Sequence, residues 1–122
     1  MSTGRFSDYQ VAQWLADAAS NGYWLAIHYD DPDISGAYAS EIFGGSYIRV
    51  LAQFSGVDGR TIWNTDTVRW TGLPAVQATF LAGWDAQFNG NLLWSSSIDG
   101  VVKFIDGSTW AIPAQSVALS IN

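Results

Sequence analysis

The sequence predicts a mainly β protein, an antiparallel β-sandwich of about eight short strands preceded by one N-terminal α-helix, with a jelly-roll-like order among those that fit. Three observations carry this. Apolar residues recur at helical spacing only within residues 7–21, and from Tyr23 onward the period falls to two. Gly, Pro, Asn and Asp then interrupt the apolar runs about every 8 to 12 residues, the rhythm of a sandwich or small barrel.

The helix start is marked by a capping box. Ser7 is placed to accept from the Gln10 amide, and Phe6 and Val11 take the staple positions on either side of it. Val11, Trp14, Leu15 and Ala18 form one apolar stripe, and Asn21-Gly22 supplies a left-handed stop. The spacing predicts strands over 23–29, 37–43, 46–54, 60–63, 67–70, 76–82, 92–96, 101–105 and 115–121. In the third of these, Ile48, Val50, Ala52 and Phe54 share one face and Tyr47, Arg49 and Gln53 the other, the pattern of a half-buried strand. Gly44-Gly45 reads as a bulge or tight turn, and Asn89-Gly90 as a hairpin turn. All connections are short, so the strands are expected to be antiparallel. No linker or repeat divides the chain: residues 1–122 are expected to form one domain, helix 7–21 docked on a sandwich over 23–121.

Of the 122 residues, 48% are hydrophobic and 15% aromatic, against 13% charged. Such a chain has ample apolar surface to fold, and few charges to cover its outside, which predicts that part of its surface is covered by another subunit. Five basic residues against eleven acidic give a net charge of −6, a surface that repels phosphate backbones. Arg5, Arg49, Arg60, Arg69 and Lys103 are scattered, so neither nucleic acid nor an anionic membrane is an expected partner. Cysteine is absent, which removes disulfides and thiolate chemistry. No apolar run approaches the length of a membrane span, and no signal peptide is apparent, so membrane insertion is not expected.

Candidate chemistry is sparse. His28 is the only histidine and stands two residues from Asp30, a spacing that suits an acid–base or metal pair, yet no nucleophile-elbow serine accompanies it. Asp30, Asp31 and Asp33 could offer oxygen ligands to calcium, but they do not match an EF-hand loop and read as a turn beside Pro32. Glu41 and Asp85 invite comparison with a glycosidase pair, and nothing in their spacing brings them together. Seven tryptophans, Trp14, Trp24, Trp63, Trp70, Trp84, Trp94 and Trp110, read mainly as core, with one or two available for stacking on sugar or protein. The sequence therefore predicts no catalytic, cofactor-binding or metal site.

Two glycine-punctuated cassettes, residues 36–49 and 83–94, stand out. Gly36-Ala-Tyr-Ala-Ser-Glu41 with Gly44-Gly-Ser-Tyr47, then Gly72-Leu-Pro-Ala75, then Gly83-Trp-Asp-Ala86 with Gly90-Asn-Leu-Leu93 resemble small virion proteins of tailed actinobacterial phages, labelled tail-fibre or minor tail proteins. The resemblance covers roughly residues 22–121 and departs in the bulky pair Ile42-Phe43. It implies a non-enzymatic structural protein of a tail or tail fibre, made in the host cytoplasm and built into the virion. Its expected partners are other virion proteins, further copies of itself and a host-surface glycan. A capsid decoration protein and a carbohydrate-binding module are the alternative classes.

Overall fold

The computed structural model of the chain describes residues 4, 6–32, 38–58 and 60–120. Among these, helix α1 (Asp8–Asn21) precedes nine strands: β1 (Tyr23–His28), β2 (Val50–Ala52), β3 (Phe54–Asp58), β4 (Thr61–Asn64), β5 (Val68–Leu73), β6 (Gln77–Trp84), β7 (Leu92–Lys103), β8 (Ser108–Ile112) and β9 (Ala118–Ser120). They form a four-stranded sheet in the order β2-β1-β6-β7, a three-stranded sheet β3-β4-β9 and a two-stranded ribbon β5-β8. Every pairing between strands is antiparallel, so the mainly β, antiparallel class with one N-terminal helix holds.

The helix begins as its capping sequence dictates. Ser7 Oγ accepts from the Gln10 amide at 3.2 Å, and at the other end Gly22, with φ 68°, donates its N–H to the Ala18 carbonyl. Val11 and Leu15 are buried against the sheets, and α1 lies across β3 and β4. Trp14, expected in the core, is 39% exposed. It sits at the edge of the apolar stripe, where Phe6 packs edge-on against it at 4.6 Å.

Strand β1 is interior to its sheet and buries both faces. Leu25 and Ile27 join a core shared with α1, the three-stranded sheet and the ribbon. On the opposite face Ala26 meets Ala82 and Trp84 of β6 in a second, smaller core flanked by Trp24 and Leu92. Small residues on that face leave room for other chain segments to lie close against the sheet. In the β6–β7 pair Gly83 stands opposite Trp94, whose indole fills the space a Cβ would take.

Several expected elements are redrawn. Within 37–43, residues 38–40 form a turn and Glu41 makes only an isolated bridge to His28; residues 33–37 lie outside the described residues. The strand expected over 46–54 is divided at Gln53 into β2 and β3, and its first residues run as loop. Its faces are also reversed at the start, with Arg49 4% exposed and Ile48 50% exposed, because the guanidinium finds buried acceptors that outweigh apolar alternation. The two strands expected over 92–96 and 101–105 are one strand, β7, which carries a bulge between its pairings with Phe80 and Ala78. Strand β8 is an addition to the expected set, recruited by β5 through the pairs Arg69↔Ala111 and Trp70↔Trp110.

Gly45 and Gly72 explain why two of the glycine motifs coexist. Both have positive φ, and a Cβ on either would collide with the other's loop, where Ser46 donates its N–H to the Gly72 carbonyl at 2.8 Å. The expected strand 115–121 shortens to β9 for a different reason. Asn64, fully buried, reaches across from β4: its Oδ1 accepts from the amides of Ser116 and Val117, and its Nδ2 donates to the carbonyls of Asp66 and Pro113. Three of the four bonds of this one side-chain amide pin the β8–β9 loop, and the fourth closes the turn after β4. Asn64→Ala is therefore expected to cost about 3 kcal/mol in denaturant unfolding and to accelerate amide exchange at Val117, since it strands buried donors; a change below about 0.5 kcal/mol would remove the pinning role.

Candidate functional site

The two cassettes meet on the small-residue face of the four-stranded sheet. Trp84, 1% exposed, forms the floor, and the Arg49 guanidinium lies over it with its central carbon 3.9 Å from the ring centroid. From there Arg49 reaches both cassettes. Its Nε and Nη2 donate to the two carboxylate oxygens of Glu41 at 2.9 and 2.8 Å. Its Nη1 donates to the carbonyls of Ala86 at 2.9 Å and Asn89 at 2.7 Å. Such a planar fork matches a carboxylate in a way an ammonium group cannot.

Each partner is itself held. Tyr47 donates its hydroxyl to Glu41 at 2.6 Å and accepts the Ile27 amide at 3.1 Å, tying the pair to β1. Burial, with Glu41 alongside, pushes the Tyr47 phenol far above its usual range, so it remains a donor. Loop 85–91 is closed by Asp85, whose carboxylate accepts from the backbone and side-chain nitrogens of Asn91. Consecutive left-handed residues Asn89 and Gly90 turn the chain there, as the Asn-Gly pair foretold. Tyr38 donates to the Gly90 carbonyl and packs its ring on Trp84 at 5.0 Å.

Above the ion pair opens a groove of about 380 Å³. Its surroundings are aromatic and strongly exposed: Phe43 is 83%, Phe88 67%, Tyr38 57% and Ile48 50% accessible. Among the described residues, the charged ones lining it are Glu41 and Arg49, which neutralise each other. Chemically, the groove offers apolar contact and shape.

The candidates read from sequence fall around this centre with structural duties. His28 is fully buried and stacks parallel to Trp84 with 6.1 Å between centroids. The Trp84 indole faces Nε2 at 3.4 Å, which makes Nε2 the acceptor and leaves Nδ1 to donate to Ser40 Oγ at 2.8 Å. Burial is the main cause that lowers its pKa to about 4; Glu41 opposes the shift and Arg49 adds to it. Asp30 accepts the Asp31 amide in an Asx contact, and Asp33 lies outside the described residues. Among the described residues no group of three or more His, Asp or Glu comes together to hold a metal. Glu41 and Asp85 do come into one neighbourhood, each engaged by its own cassette partner. Of the tryptophans, Trp70 and Trp84 are buried, Trp24, Trp63, Trp94 and Trp110 are half-buried, and Trp14 is the most open. The most exposed aromatics around this centre are instead Phe43, Phe88 and Tyr38.

Arg49, Tyr47, Phe43 and Phe88 are the residues that sequence reasoning missed. A signal was present: one of only five basic residues stands between Ile48 and Val50, inside a cassette that also holds a glutamate. A lone cation flanked by β-branched residues and near an acid is a candidate for burial.

The site is thus a pair of glycine-punctuated loops joined through Arg49 beneath an exposed aromatic rim. Residues 10–120 match the family described as Podophage GP4 fiber I protein gp80, and the chain belongs to that family. It is a phage fibre protein, a structural component of the virion that contacts other virion proteins. No curated protein matches the chain.

The His28 environment gives a pH dependence. An unfolded histidine titrates near 6.5 and the folded one near 4, so in this interval the unfolded chain takes up a proton that the folded chain refuses, and stability falls with falling pH. Between pH 7.5 and 5 the expected loss from this group is about 2 kcal/mol by linkage. Urea unfolding at the two pH values should show it, and His28→Gln should flatten the profile; an unchanged slope in the variant would assign the dependence to other groups.

Proposed function

We propose that the chain is a non-enzymatic subunit of a phage tail fibre that works by assembling with further copies of itself and with neighbouring fibre or tail proteins. The observation that carries this reading is the family match over residues 10–120, joined to a site in which Glu41, Arg49 and Asp85 are bonded internally. Glu41 is bound by Arg49 and Tyr47, Asp85 by Asn91, and His28 is buried beneath them. These commitments leave the likeliest acid–base residues without a free role in bond cleavage. Residues from α1, both larger sheets and the ribbon share one core, which supports a single folding unit. The order and spacing of the glycine motifs support an actinobacterial host, in whose cytoplasm the protein is made.

Labelling purified particles with an antibody to the chain, visualised by electron microscopy, tests the assignment. Label on the tail fibres is expected; label distributed over the capsid lattice would reassign the chain as a decoration protein.

A further inference from the structure

We propose that the aromatic rim around the Arg49–Glu41 groove is the surface on which a second copy of this chain docks, with Phe43 of one copy seated in the groove of the next. The inference rests on the reading of the chain as a self-assembling fibre subunit and names the surface that does it. Three features favour this occupant.

The first is area. Phe43, Phe88 and Tyr38 at 83%, 67% and 57% exposure present on the order of 400 Å² of aromatic surface, comparable with the whole largest apolar patch of an ordinary monomer. Two such rims face to face, with Ile48 and the polar edge around them, cover roughly the 1,000 Å² a specific interface needs. The second is charge. Copies carrying −6 each repel one another, and the groove is a place where they can approach closely, because the charges that line it among the described residues form an internal pair. The third is shape. Phe43 projects beside a hollow of about 380 Å³ on the same face, so each copy presents a knob and a hole, the condition for symmetric self-association.

A saccharide is a poorer occupant. Sugar hydroxyls need free polar side chains among the aromatics, and here Arg49 spends four hydrogen bonds inside the protein while Glu41 accepts three.

Sedimentation velocity of the full chain over a range of concentrations tests the proposal. Wild-type protein is expected to associate with increasing concentration, and Phe43→Ser and Phe88→Ser each to weaken that association at least tenfold. Ile105→Ser, at a 77% exposed position outside the groove, is expected to leave it unchanged. Circular dichroism checks that the variants fold, and Gln87→Arg, which sets a cation at the groove in each copy, gives a second route to the same loss. Association that survives all three groove variants overturns the surface while leaving self-assembly intact. A wild-type chain that stays monomeric overturns both, and a monomer that binds soluble saccharides through Phe43 assigns the groove to a glycan. Fibre labelling of particles is unaffected by any of these results.

Discussion

Four hydrogen bonds and one ring contact around a single guanidinium hold together segments that are far apart in the chain. Arg49 is 4% exposed, and a charge removed so far from water is tolerated only when fully paired. Glu41 supplies the countercharge, the Ala86 and Asn89 carbonyls take two more N–H groups, and Trp84 gives its ring face. The consequences spread outward from this point. Loop 85–91 must keep its carbonyls turned inward, which Asp85 and the Asn89-Gly90 turn accomplish. Segment 38–49 meets the backbone of β1 and the following Tyr29 around Glu41, through one bridge and the backbone bonds of Ser40 and Ile42, and otherwise runs as turn and loop. Side chains that cannot enter the polar centre, Phe43 and Phe88 among them, are left on the rim.

Backbone-level features were legible in the sequence, and side-chain chemistry across the fold was not. Ser7 to Gln10 marks the helix start, Gly22 its end, and Asn89-Gly90 a turn, because each depends on a few adjacent residues whose backbone preferences act locally. The antiparallel class followed from period and short connections for the same reason. Arg49 inverted the reading of its strand: alternation assigns a charged residue to solvent, and only the fold reveals acceptors 37 and 40 residues away. Trp14 failed in the opposite sense, being apolar by type yet placed at the margin of its helix stripe. Strand β8 was missed because its partner, β5, lies far upstream and its own alternation is short. The glycine cassettes were recognisable as a pair, but that they touch, and that an arginine joins them, is information carried by tertiary structure.

Polar and apolar side chains have separate roles in this fold. Asn64 and Arg49, both buried polar residues, fix loops that would otherwise wander. The three tightest interlocks, Gly45 on Gly72, Gly83 beneath Trp94 and Gly90 beside Asp85, leave those loops little freedom to rearrange. Phenylalanine and tyrosine on the rim are carried on this constrained base, so the association proposed for them would cost little ordering.

The central claim is that Glu41 and Arg49 act as one unit. A double-mutant cycle of Glu41→Gln and Arg49→Met, followed by urea unfolding at neutral pH, measures their coupling directly. A coupling energy of about 2 to 3 kcal/mol is expected, with the double variant less destabilised than the two single costs added together, because each single change strands a buried charge. Additive single effects, with coupling below about 0.5 kcal/mol, would show that the cassettes are held by something other than this bond.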